Sequence, residues 1–125
     1  MKGFFYCEIC GNLVGQIKDG GGALVCCGTD MVELKANAVD AAQEKHIPVF
    51  SVDGKNIDVK VGSAAHPMEA DHSIEWVYIA TKDGAQRKAL SPGMEPETSF
   101  ALSDGDELVA VYAYCDKHGL WGAQV

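Results

Sequence analysis

Apolar residues change their rhythm along the chain. From about residue 49 onward the period is two. Ile57, Val59 and Val61 alternate with Asp58 and Lys60, and residues 74–81 and 107–114 are apolar runs of strand length. The pattern predicts strands over residues 49–53, 57–61, 74–81, 85–90, 98–102, 107–114 and 120–124. Asp53-Gly54, Lys82-Asp83-Gly84 and Ser103-Asp104-Gly105 punctuate them, as does the Pro-rich segment 91–96. Short strands with turn signals at this spacing predict an antiparallel β-sandwich. In the sixth strand Val109, Val111, Ala113 and Cys115 share one face, and Leu108, Ala110, Tyr112 and Tyr114 share the other. Neither face is strongly polar, so this strand is expected to be central or covered by a partner.

The first third of the chain lacks that rhythm. Residues 12–18 and 23–25 flank Asp19-Gly20-Gly21-Gly22 and read as a hairpin, because an Asp-Gly turn needs the positive φ that glycine tolerates. A short strand is expected over 31–35. Asn37 is then a plausible N-cap for a helical turn through the alanines that follow. The change of pattern places a domain boundary near residue 37, giving domains 1–36 and 37–125.

Composition narrows the class. At 125 residues, 47% hydrophobic and 22% charged, the chain is that of a globular protein. No run approaches the ~20 apolar residues of a membrane span. The N-terminal residues do not read as a signal peptide, so a cytoplasmic location is expected. A net charge of −8 excludes general electrostatic attraction to nucleic acid. In a reducing compartment the five cysteines are expected to be metal ligands rather than disulfides.

Four of them fall before residue 28. Cys7-Glu8-Ile9-Cys10 is a knuckle, and Cys26-Cys27 follows across the expected hairpin. Four thiolates can close a tetrahedral site, which suits zinc or iron. Fewer than 40 residues cannot bury enough apolar surface to fold without such a staple. The vicinal pair is unusual for a zinc ribbon, which uses two Cys-x-x-Cys knuckles.

The fifth cysteine stands in Cys115-Asp116-Lys117-His118-Gly119-Leu120-Trp121, where a strand ends and two soft ligands share one turn. His46, His66 and His72 lie upstream in loop-like segments. Each alone reads as an ordinary loop residue. Together they offer four imidazoles and one thiolate, one donor more than zinc normally takes. Five nitrogen and sulfur donors with one open position suit a redox iron better.

Cys7-x-x-Cys10 with Cys26-Cys27, Glu44-Lys45-His46-Ile47-Pro48, His66-Pro67-Met68-x-x-Asp71-His72 and Cys115-x-x-His118-Gly119-Leu120-Trp121 occur in order across nearly the whole chain. In these motifs the sequence resembles the desulfoferrodoxins, the two-iron form of superoxide reductase. Asp116 and Lys117 are the positions within the motifs for which the resemblance sets no expectation.

The resemblance implies an all-β protein: a small rubredoxin/desulforedoxin-like metal domain, then an immunoglobulin-like seven-stranded antiparallel β-sandwich. It implies two irons per chain, one on Cys7, Cys10, Cys26 and Cys27. The other, catalytic iron would be held by His46, His66, His72 and His118 in a square with Cys115 axial. The implied reaction is one-electron reduction of superoxide to hydrogen peroxide, in antioxidant defence. Electrons would come from a small donor protein such as rubredoxin, and the protein would be a homodimer. Glu44 is implied as a sixth ligand of the oxidised iron. Lys45, beside a ligand, is the candidate to attract the anion against the net charge, with Lys117 second. An electron carrier without substrate chemistry, a zinc-stapled binding module and a superoxide dismutase are the competing readings.

Overall fold

The computed structural model describes residues 3–125. The chain divides into two compact units, one ending at Lys35 and one starting at Ala36.

The first unit holds five short strands: β1 (Gly3–Tyr6), β2 (Leu13–Gln16), β3 (Val25–Cys26), β4 (Thr29–Asp30) and β5 (Val32–Glu33). They form a three-stranded sheet in the order β2-β1-β5 and a separate β3-β4 ribbon. The hairpin expected across Asp19–Gly22 does not form. β2 pairs instead with β1, Tyr6 opposite Leu13, so the Cys7 knuckle is the hairpin turn. That turn is built. Gly11 N–H donates to Cys7 O at 2.9 Å and Cys10 N–H to Cys7 Sγ at 3.4 Å, with Gly11 at φ +83°. In the three-glycine run Gly21 N–H donates to the Asp19 side chain at 2.9 Å, and no strand pairing forms across it among the described residues.

The β3-β4 ribbon explains the vicinal cysteines. Cys26 pairs with Thr29, so Cys27 and Gly28 form a two-residue turn, both at positive φ (53° and 78°). This is the turn whose twist matches that of the flanking strands. Cys26 is therefore the last residue of a strand and Cys27 the first of its turn.

The second unit begins with one helical turn, α1 (Gln43–His46), followed by seven strands. These are β6 (Pro48–Asp53), β7 (Asn56–Val61), β8 (Ile74–Thr81), β9 (Ala85–Ala89), β10 (Glu97–Ala101), β11 (Leu108–Cys115) and β12 (Gly119–Gln124). One sheet runs β10-β7-β6 and the other β12-β11-β8-β9, with antiparallel pairing throughout. The alternation in β7 is read out directly: Ile57, Val59 and Val61 are buried, and Asn56, Asp58 and Lys60 are exposed. They join Ile74, Val77, Ile79, Phe100, Val111, Ala113 and Cys115 in one core cluster. β11 lies inside its sheet, which answers the apolar character of both its faces. Val109 is exposed nevertheless, because the β11-β8 register slips between Leu108 and Ala110 and leaves it at a bulge.

Asn37 caps no helix. It adopts φ +61°, and its side chain exchanges two hydrogen bonds with the backbone of Gly122 on the sheet-edge strand β12 (Gly122 N to Oδ1 2.9 Å; Nδ2 to Gly122 O 3.1 Å). An amide side chain thus stands in for a strand neighbour. α1 instead starts after Ala42, with no side-chain cap.

Candidate metal centres

The sulfur atoms of Cys7, Cys10, Cys26 and Cys27 all lie within 4.8 Å of one another. Cys10 and Cys26 are 3.6 Å apart and Cys26 and Cys27 are 3.9 Å apart, and none of the cysteines forms a disulfide. Metal–sulfur bonds of about 2.3 Å in a tetrahedron separate the sulfurs by about 3.8 Å, which these spacings fit. Their protonation fits as well. The Cys10 N–H holds the Cys7 thiol down at about 6, whereas hydrogen bonding to Cys10 and then Cys26 pushes Cys27 up to about 12. Thiolates this close oppose one another's ionisation. A bound cation removes the opposition and lets all four serve as anionic ligands.

The second cluster forms where α1, the 62–73 loop and the end of β11 converge. Cys115 ends β11 inside the core and is fully buried. His46 ends α1, where its Nδ1 lies 2.7 Å from Ala42 O. His66 Nδ1 lies 2.6 Å from Pro67 O. A carbonyl can only accept, so each Nδ1 carries the proton and each Nε2 is a bare lone pair. Those two Nε2 atoms face each other at 3.2 Å. Two lone pairs at that distance repel unless a cation lies between them. His72 Nε2 is buried with no hydrogen-bond partner. His118 closes the set, its Nδ1 being 3.1 Å from His46 Nε2 and 3.8 Å from Cys115 Sγ.

The four rings form a closed circuit. Centroids of successive pairs, His46–His66, His66–His72, His72–His118 and His118–His46, are 4.7, 4.8, 5.1 and 4.9 Å apart, each pair nearly perpendicular. Burial pushes His66 down to about 4 and also lowers His118, so both stay neutral, the form that binds metals. Burial raises the Cys115 thiol, while the backbone N–H groups of Lys117 and His118 pull it the other way. Orphaned nitrogen lone pairs, fixed tautomers and a buried sulfur make this a donor set for a transition metal rather than a satisfied polar core.

Two supports carry no signal in residue type alone. Trp121 is buried. It stacks on His46 at 4.8 Å and 28° and donates its Nε1–H to His118 O at 3.0 Å, thereby bracing two rings. Gly62 lies beneath the Glu44–Lys45 backbone, where a Cβ would meet Glu44 O at 2.6 Å. Glu44 O in turn accepts from Ala64 N–H (2.9 Å) and Ser63 Oγ–H (3.3 Å). The side chains of Glu44 and Lys45 are exposed on α1, directly before His46, and Lys117 is exposed between Cys115 and His118. Trp121 stood inside a motif; Gly62, a lone glycine closing a strand, gave only the hint of a close backbone approach.

The desulfoferrodoxin domain matches residues 38–124, and the desulfoferrodoxin N-terminal domain matches residues 2–34. The chain belongs to the desulfoferrodoxin family. It is 48% identical over 120 residues to the desulfoferrodoxin of Syntrophotalea carbinolica, covering 96% of this chain and 94% of that one. It is 43% identical over 117 residues to a desulfoferrodoxin homologue of Archaeoglobus fulgidus, covering 94% and 92%. Among solved structures, the superoxide reductase of Treponema pallidum superposes with a TM-score of 0.82 at 38% identity, covering 98% of each chain. The chain provides a four-cysteine site and a second site in which His46, His66, His72 and Cys115 offer donor atoms within 4.8 Å of one another and His118 adjoins His46 and Cys115, and the family binds two irons.

Proposed function

We propose that the protein is a superoxide reductase, catalysing superoxide + electron + 2 H⁺ → H₂O₂ at the histidine–cysteine centre. The observation that carries this reading is the closed circuit of four neutral imidazoles over one buried thiol. Iron held by His46, His66, His72, His118 and Cys115 would supply the electron and a docking position for the anion.

The residues account for the rest. Neutral imidazoles add no negative charge, so with the single Cys115 thiolate a ferrous site keeps a net +1, which attracts an anion. Burial of His46, His66 and Cys115 keeps water from the donor atoms, whereas His72 and His118 are partly exposed and leave the site reachable. The net charge of −8 repels superoxide at long range, but exposed charges are screened beyond about 8 Å at physiological salt. Lys45, beside His46, is then the local charge that guides the anion, and it can hold the water that delivers protons. Glu44, exposed on α1 two residues before His46, is the carboxylate that would ligate the oxidised metal.

In this reading residues 1–36 form the desulforedoxin-like iron domain and residues 37–125 the reductase domain. A small redox protein such as rubredoxin supplies the electrons. The five unpaired cysteines fit a reducing, cytoplasmic setting, and no helix among the described residues is long and apolar enough to cross a membrane. Ile9, Ile17 and Val25 stay exposed on a unit of only 35 residues, which supports a homodimer.

The test is pulsed superoxide over the reduced protein, counting both products. Expected is one peroxide per superoxide, no oxygen, and one oxidised centre per turnover. Oxygen at half the superoxide consumed makes the protein a dismutase and overturns the reading. Lys45→Ala is expected to slow capture and flatten its salt dependence. Glu44→Ala is expected to change the ferric spectrum at an almost unchanged capture rate.

A further inference from the structure

Asp116 lies between two ligands, Cys115 and His118, yet no role so far described uses it. Its carboxylate is held in place. Oδ1 accepts the Ser73 N–H at 3.1 Å, while Asp116 N–H donates to Ser73 O at 3.2 Å. Ser73 follows His72, so this two-bond clasp ties the Cys115 turn to the His72 loop. The same Oδ1 lies 4.0 Å from Cys115 Sγ. A thiolate with a fixed carboxylate oxygen at that distance feels like charge.

A second carboxylate acts in the same direction. The β11-β8 register slips at the end of the strand. Tyr114 pairs with Trp76 but Cys115 pairs with Ile74, leaving Glu75 as the extra residue of a bulge. Bulges next to functional sites re-aim side chains. The charges of Asp116 and Glu75 both act on the Cys115 thiol, and Glu75 is itself pushed up by burial and then by Asp116.

We propose that Asp116 is a positioning residue that sets the reduction potential of the histidine–cysteine iron, its clasped carboxylate keeping negative charge on the Cys115 side of the centre. This rests on the reading of that centre as redox iron. The sign follows from electrostatics. Negative charge near the metal stabilises the ferric over the ferrous form, so the carboxylate lowers the potential and makes the ferrous site a stronger reductant. The Lys117 and His118 N–H groups draw charge from the sulfur and act the opposite way. The turn after Cys115 therefore contains both signs of control. Because Asp116 is exposed, solvent screens it and the effect is limited.

The experiment is a redox titration of the iron-loaded protein and its Asp116→Asn variant, followed through the thiolate-to-iron charge-transfer band. Asn keeps an oxygen to accept the Ser73 N–H, so the clasp survives and only the charge is lost. Expected is an upward shift of the second iron's midpoint. At fixed ambient potential the ferrous-to-ferric ratio rises about threefold to tenfold, tenfold being about 59 mV for one electron. The band is expected to move to shorter wavelength, because losing a negative charge 4.0 Å from Cys115 Sγ lowers the sulfur donor level. The four-cysteine iron keeps its midpoint and serves as internal reference. Asp116→Ser provides a second variant should the first fold poorly, removing the same charge with a shift of the same sign. An unchanged or lowered midpoint in a folded Asp116 variant overturns the role of Asp116. A second site with no reversible one-electron step would instead overturn the redox reading beneath it.

Discussion

The two units solve opposite problems with similar ligands. In the unit ending at Lys35, Phe4 and Cys7 are the buried apolar residues among those described, and one of the two is a ligand. In the sandwich, twelve residues form one core cluster, and Cys115 is a member of it. The first unit has almost no interior apart from its sulfur cluster, so there the metal makes the fold. The second has a core of Ile, Val, Phe and Leu that stands without help, so there the fold makes the metal site. Protonation reflects the same contrast. In the small unit hydrogen bonds dominate, the Cys10 N–H holding Cys7 at about 6 and the neighbouring thiols pushing Cys27 up to about 12, whereas burial inside the sandwich dominates His66, His118 and Cys115.

The strongest way to break this comparison is to remove the metals. A chelator under denaturant-free conditions, or Cys10→Ser, is expected to unfold the first unit completely. Amide-exchange protection in β1, β2 and β5 should vanish, while β7, β8 and β11 remain protected. Protection that persists in β1 and β2 without metal would mean that the small unit has a sufficient core of its own. Protection lost from β8 and β11 would mean that the second site, too, builds its fold.

A smaller effect sharpens the claim that the sandwich positions its site by contact. Gly62 has φ +84°, and a Cβ there would lie 2.3 Å from Ala64 O, 2.6 Å from Glu44 O and 2.7 Å from Lys45 C, all backbone atoms. Gly54 has φ +61° but nothing within 4 Å of such a Cβ. Gly62→Ala is expected to cost about 2–4 kcal/mol, combining the left-handed backbone with overpacking. Gly54→Ala is expected to cost about 1 kcal/mol from the backbone alone. Denaturant midpoints measure both. Only the first should slow superoxide capture, since only it displaces Lys45. Equal costs at the two glycines would refute the account of Gly62 as the bed of the Glu44–Lys45 turn.

What was legible in the sequence follows from the range of the forces involved. All seven sandwich strands were visible because alternation is local and the buried face reads it directly, as in Ile57, Val59 and Val61. Both ligand sets were visible because motif spacing carries chemistry, and the family resemblance joined the separate histidines into one centre. The hairpin across Asp19–Gly22 was misplaced because glycine permits a turn without requiring one, whereas hydrogen bonds to Cys7 enforce theirs. Asn37 was misread because its partner Gly122 is 85 residues away, and a side chain pairing with a sheet edge leaves no local trace. The bulge at Glu75 was likewise invisible, since register is a property of two strands and not of one.

The finest test concerns how far bracing by the sandwich reaches into the ligands. Trp121 both stacks on His46 and donates to His118 O, and Phe can keep the first contact but not the second. Trp121→Phe is expected to cost about 1–2 kcal/mol, mostly the lost hydrogen bond and a small cavity. That is tolerable for a core of this size, so the protein should remain folded. The His118 turn, however, loses the donor that fixes its carbonyl, and supporting contacts of this kind typically govern 10–100-fold in metal affinity. Iron should therefore leave the histidine–cysteine site faster under chelator competition, while its release from the four-cysteine site is unchanged. If both irons leave at their original rates, stacking on His46 alone is enough to hold the ring circuit. If both leave faster, the substitution has acted on the whole protein, and the sandwich's hold on its own site has not been isolated by it.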